Sequence, residues 1–134
     1  MRFILVALLL AACASPSPTP TPTTATRTIH GTLELVGRAA AAVEDVCYGY
    51  EGYDDIKTGT QVTVADQGGT LIGTGSLGRG VLNEDRTRCT FPFIIHGLPD
   101  ATFYAIEVSR RGELTYSAAE MEQMDWRVAF TLGD

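Results

Sequence analysis

Residues Thr60 to Leu77, TQVTVADQGGTLIGTGSL, decide the fold. From Thr60 to Ala65 apolar and polar residues alternate, so Val62 and Val64 share one face of an extended strand. Asp66-Gln67-Gly68-Gly69 supplies turn residues, and Thr70 to Leu77 returns with strand-like composition. The unit is a β-hairpin, and its neighbours repeat the pattern. Downstream, Cys89, Phe91, Phe93 and Ile95 fall on one face of a strand. Pro92 falls on the other, where its missing N–H points to an edge or a bulge. Gly97 to Asp100 turns the chain, and Phe103 to Ser109 follows with Tyr104, Ile106 and Val108 on one side. Arg110 to Glu113 turns it again, and Trp126, Val128, Phe130 and Leu132 form a last strand. Upstream, Ile29, Gly31, Leu33 and Leu35 share a face of the first strand.

One short helix is expected. Ser117 and Glu120 have capping-box spacing, and Ala118 to Met124 are good helix formers with room for one or two turns. Residues 38–46, which include Ala39 to Ala42, read as a second short helical turn or a loop. The glycine run from Gly73 to Gly80 lacks the following helix that a phosphate cradle needs, and reads as a mobile hairpin loop. Six or seven short strands between residues 29 and 134 make an all-β domain. The expected form is a small antiparallel β-sandwich, immunoglobulin-like or transthyretin-like, with one short helix before the last strand.

The first 28 residues have another character. Met1-Arg2 gives one positive charge, and Phe3 to Ala12 is an apolar run that would cover only about 15 Å as a helix, half a bilayer's core. Such a segment reads as a secretory signal, residues 1–12. Leu10-Ala11-Ala12-Cys13 resembles a bacterial lipobox. The resemblance implies that the Cys13 thiol carries diacylglycerol, that the chain is cut before it, and that acyl chains anchor the protein to the cell membrane outside the cytoplasm. The alternative is a plain signal peptide with Cys13 incidental. Residues 13–28 then form a lipidated start and tether. SPSPTPTPTT from Ser15 to Thr24 excludes helix and central strand, and favours an extended spacer of about 40 Å.

Composition fits this division. Of 134 residues 45% are hydrophobic, but 13 of the first 14 are in that class. The net charge is −6, from 10 basic and 16 acidic groups, and losing Arg2 with the signal makes it −7. No dense basic run occurs, which argues against nucleic acid as a partner and leaves the acyl chains to hold the membrane. Three cysteines are an odd number. With Cys13 lipidated, Cys47 and Cys89 remain for a disulfide in an oxidising compartment, in preference to two free thiols.

The densest polar constellation runs from Cys47 to Asp55. Tyr48, Tyr50 and Tyr53 offer rigid faces with polar tips for a glycan or a peptide. Glu51, Asp54 and Asp55 offer oxygen ligands to calcium, though without the alternate spacing of a calcium loop. The plain reading is that Tyr48 and Tyr53 cover the disulfide while the carboxylates cap turns. Catalytic signals are thin. His30 and His96 each precede a glycine at a strand end, and no G-x-S-x-G occurs. Arg86, Arg88, Arg110 and Arg111 stand beside Glu84, Asp85 and Glu113, which reads as a solvated, ion-paired rim.

Several segments together carry a second resemblance: Gly52 to Ile56 (GYDDI), Gly59 to Val64 (GTQVTV), Thr74 to Gly78 (TGSLG), Cys89 to Phe93 (CTFPF), Arg110 to Ser117 (RRGELTYS) and Trp126 to Gly133 (W-x-V-x-x-T-L-G). Together they resemble a group of small actinobacterial lipoproteins and exported proteins. That likeness implies architecture and location and transfers no catalytic residue. The expectation is a non-enzymatic, cofactor-free binding module of the cell envelope, facing an envelope protein or a glycan. The alternatives are a small envelope hydrolase using His30 or His96 with a carboxylate, and a purely structural envelope protein.

Overall fold

The computed structural model describes residues 25–37, 39–41 and 46–133. The signal segment, Cys13, the Pro-rich tether to residue 24 and part of the 38–46 stretch lie outside these residues. Among the described residues the chain forms ten strands and one helix: β1 (Arg27–Val36), β2 (Ala39–Ala41), β3 (Cys47–Gly49), β4 (Gln61–Ala65), β5 (Leu71–Ser76), β6 (Val81–Leu82), β7 (Arg88–Leu98), β8 (Phe103–Val108), β9 (Glu113–Ser117), α1 (Ala118–Gln123) and β10 (Arg127–Gly133). Two four-stranded sheets, ordered β10-β1-β7-β6 and β5-β4-β8-β9, make the expected β-sandwich, with β2 and β3 as a separate ribbon.

The core is where alternation placed it. Ile29, Leu33 and Leu35 of β1, Phe91, Phe93 and Ile95 of β7, and Val128 and Phe130 of β10 are buried. They meet Val62 and Val64 of β4 and Tyr104, Ile106 and Val108 of β8. Gly31 belongs to this face because Phe93 lies across it. A Cβ on Gly31 would fall 1.9 Å from the ring's Cζ, and that position lets Phe93 stack on Phe130 at 6.0 Å between centroids. Tyr104 is buried as well: its hydroxyl donates to the Pro99 carbonyl at 3.0 Å and accepts from the Ala101 N–H at 3.0 Å. Its ring meets Trp126 edge-on at 5.1 Å.

Several expectations are corrected. The first strand begins at Arg27, two residues before the Ile29 at which its alternation starts. Ala39–Ala41 is a strand paired with Cys47–Gly49, not a helical turn or loop, since cross-strand pairing overrides alanine's helical preference. The last strand runs parallel to β1, from the His30–Arg127 pair to the Val36–Gly133 pair, so the sandwich is not wholly antiparallel. The connection from β9 to β10 is α1, which crosses from one sheet to the other. Its capping box is as expected: Ser117 Oγ accepts from the Glu120 N–H, and the Glu120 carboxylate accepts from the Ser117 N–H. β9 itself was not anticipated, because its alternation spans only Leu114 and Tyr116 and runs straight into the helix cap at Ser117.

The glycine run is also corrected. Gly73 and Gly75 lie within β5, and Gly80 is buried. A Cβ on Gly73 would come within 2.4 Å of Leu98 Cδ2, and one on Gly75 within 2.9 Å of the Ile94 carbonyl. The run is glycine-rich so that β5 can approach β7 across the sandwich, which a side chain would prevent. Just beyond β5, the Gly78 N–H donates to the Pro92 carbonyl at 2.6 Å. That bond explains the proline. β7 is an interior strand, but β6 pairs only with Cys89 and Thr90, so at Pro92 this side of β7 is locally an edge. The N and C=O of one strand residue face the same side, and here no ladder donor is needed.

The two sides of the sandwich therefore differ. Along β5 and β7 the sheets close on each other. Along β9 and β10, among the described residues, both edge strands pair with no further strand and α1 alone bridges them.

Candidate functional site

Cys47, on β3, is bonded to Cys89, on β7, with Cα atoms 5.9 Å apart and both side chains buried. The bridge ties the start of the 47–59 loop to the core strand. Inside the loop, Ile56 is fully buried, and its backbone bonds to Gly49 and Tyr53. Asp54 accepts from the Gly52 N–H at 3.2 Å, which is the turn-capping role expected of a carboxylate.

The loop's principal clamp comes from elsewhere in the chain. Arg111, in the turn between β8 and β9, binds both carboxylate oxygens of Asp55 and donates to the Gly52 carbonyl at 2.6 Å. Its guanidinium also sits 4.8 Å from the centre of the Tyr53 ring. The Arg111 hydrogen bonds hold the Asp55 carboxyl below its ordinary value, and Asp55 in turn raises Arg111. A rim of neighbouring ion pairs was expected here. Two of the arginines pair over long sequence distances, Arg111 with Asp55 and Arg88 with Glu34 at 3.1 Å. Asp85 accepts from Thr87, with the charge of Arg88 nearby.

The sign of the pH dependence follows from the lowered Asp55 value. The clamp is at full strength above the unfolded carboxyl value of about 4 and is lost as pH falls through the lower folded value. Carbon-13 NMR of the Asp55 carboxyl should give a midpoint below the ordinary one. Arg111→Gln should bring it back up, and an unchanged midpoint would contradict the clamp.

The tyrosines do not share one role. Tyr48 is 41% exposed, Tyr50 is half-buried, and Tyr53 packs against the core under Arg111. Of the expected covering pair, Tyr53 packs against the core that holds the disulfide, and Tyr48 is exposed. Of the three carboxylates weighed for calcium, Asp55 is held by Arg111 and Asp54 caps a turn, while Glu51 is exposed at φ 48°. Among the described residues no group of three or more His, Cys, Asp and Glu side chains gathers as a metal site.

Beside this loop lies a feature the sequence reading missed. Between β9 and β10, beyond α1, an apolar cleft of about 240 Å³ opens between the sheets. Leu33, Ile106, Val108, Phe130 and Leu132 form its floor and walls, and Leu114 and Arg111 stand at its mouth. Leu114 pairs with buried Ile106 and so lies on the inner face of its sheet, yet it is 51% exposed. The signal was present in Glu113 to Ser117, where Leu114 and Tyr116 alternate with polar residues. It was masked because the pattern runs straight into the helix cap at Ser117.

The histidines lie elsewhere. His30 stands opposite Ile94 on the exposed face of its sheet, and His96 Nδ1 is 3.4 Å from Thr28 Oγ1. The hydrolase alternative calls for a histidine with a carboxylate or hydroxyl in a cleft. Neither histidine lines the apolar cleft, while His30 lines a separate, shallow surface cleft with Thr26, Thr28 and Asp125. Comparison with known proteins yields no match to a family model, to a curated protein or to a solved structure.

Proposed function

We propose that this chain is a non-enzymatic binding module of the cell envelope, anchored through diacylglycerol on Cys13, with its ligand surface on the open side of the sandwich. The observation that carries the reading is the half-exposed inner face at Leu114, above a cleft walled by core residues. A folded domain does not ordinarily leave inward-facing leucine uncovered beside a free sheet edge, and such a concave apolar site is the default place for a ligand. The Arg111 clamp supports the same reading, because Asp55 and the Gly52 carbonyl hold in place a side chain that lines the cleft.

The ligand class is an envelope protein or a glycan. The apolar lining of the cleft favours the protein, since a glycan is better served by exposed aromatic faces and Tyr53 already has Arg111 over its ring.

The test is a photoreactive residue placed at Leu114 in living cells and, separately, at Phe103, an exposed residue opposite Ser117 on β9. Crosslinked products specific to position 114 are expected. Equal labelling at both positions, or none at 114, would overturn the reading. Mass spectrometry of the mature chain tests the anchor, and an unmodified Cys13 thiol would remove it.

A further inference from the structure

We infer that the open side accepts a short extended peptide from a partner protein as an added strand on β9, apolar side chains turned into the cleft and basic side chains turned outward. This rests on the binding-module reading and adds the chemistry of the partner.

Three observations converge on that edge. β9 pairs with β8 from Ser117–Phe103 to Glu113–Glu107, and among the described residues its other side pairs with no strand. Free backbone N–H and C=O groups along such an edge are a template for another strand. Second, the inner face of β9 is unfinished. Leu114 is half exposed over the cleft, so an incoming strand with an apolar residue at the matching position would complete the core between β9 and β10. Third, Glu107 and Glu113 face each other directly across β8 and β9. Like charges in that position oppose the pairing, and among the described residues neither carboxylate has an ion-pair partner.

Charge selects the occupant. A lysine or arginine on the outward face of an added strand would lie beside Glu113 and relieve the repulsion. A second copy of this chain would not. Antiparallel pairing of β9 with itself about Thr115 sets Glu113 opposite Ser117, brings in no basic residue, and joins two acidic molecules. The site is short. The Ser117 N–H is already held by the Glu120 carboxylate at 2.7 Å, so pairing is available over about four residues from Glu113 to Tyr116.

The test uses the full chain and six-residue peptides of alternating lysine and valine, with blocked ends. Binding is expected by titration calorimetry. Methylating the three amides on one side of the peptide should abolish it, and methylating the other three should not, because only one side meets β9. Glu107→Gln with Glu113→Gln should weaken the lysine peptide about fivefold and leave a glutamine-valine peptide unchanged. Equal effects of the two methylation patterns, or an affinity indifferent to both glutamates, would overturn strand addition. Dimerisation of the chain without peptide, lost on substituting Thr115→Pro, would overturn the peptide partner in favour of a second copy. Absence of any peptide binding while the Leu114 crosslink persists would sink the strand proposal alone; loss of that crosslink would sink the binding module itself.

Discussion

Replacing Cys47 and Cys89 together by alanine is expected to lower the stability of the domain by about 4 kcal/mol, the entropy of closing a loop of about 43 residues. For a domain of this size that corresponds to a drop in melting temperature of roughly 15–25 °C by calorimetry. The loss should be uneven. The bridge joins short β3 to β7, and the loop that follows has Ile56 as its fully buried anchor. Amides of residues 47–59 should therefore lose hydrogen-exchange protection before those of β4 or β8. A uniform loss would mean that the bridge acts on the unfolded chain alone, and an unchanged melting temperature would mean that it does not stabilise the fold.

The second large effect is expected at Gly80. A Cβ there would lie 2.5 Å from the Cys47 carbonyl, 2.6 Å from Phe91 Cε1 and 2.9 Å from Cys89 Sγ. Backbone, core ring and disulfide close in on one point, and none is the free end of a flexible side chain. Gly80→Ala should cost about 3 kcal/mol by overpacking. The two changes share neighbours and should not add. With Cys47 and Cys89 as alanines the sulfur contact is gone and the strand ends can shift, so the Gly80→Ala penalty should shrink by about 1 kcal/mol in that background. Denaturant titration of the four variants measures the coupling. Full additivity would show that the disulfide does not confine this glycine.

The same neighbourhood shows what could be read from the residues and what could not. Strand alternation located the core because burial on one face imposes a period of two, as at Val62 and Val64 or at Cys89, Phe91, Phe93 and Ile95. Spacing also located the helix, through the reciprocal bonds of Ser117 and Glu120. Both signals are local. The pairing of Cys47 with Cys89 came from counting, once Cys13 was set aside for lipid. The structure holds that pair together, while Cys13 lies outside the described residues.

What escaped was non-local. Nothing near Arg111 in sequence marks Asp55 as its partner, since 56 residues separate them. Glycines 73, 75 and 80 looked like a loop because the strand they lie against is distant in the chain. The parallel pairing of β1 and β10 depends on α1 crossing between sheets, which no residue pattern encodes. The cleft is hardest of all, because it exists where two strands fail to meet. In the tyrosine-rich loop two of the polar groups are braces, Asp54 capping a turn and Asp55 holding Arg111, and the surface proposed for the ligand lies at Leu114 instead.

All of this depends on a sandwich closed along β5 and β7 and open along β9 and β10. Amide hydrogen exchange on the full chain compares the two directly, because β5 and β9 are both terminal strands of the same sheet. If the closed and open sides are as described, amides of Ile72 to Gly75 should be protected well beyond those of Leu114 to Tyr116, since only the former face another strand across the sandwich. Equal protection of the two strands would contradict the open side, and with it the place assigned to the ligand.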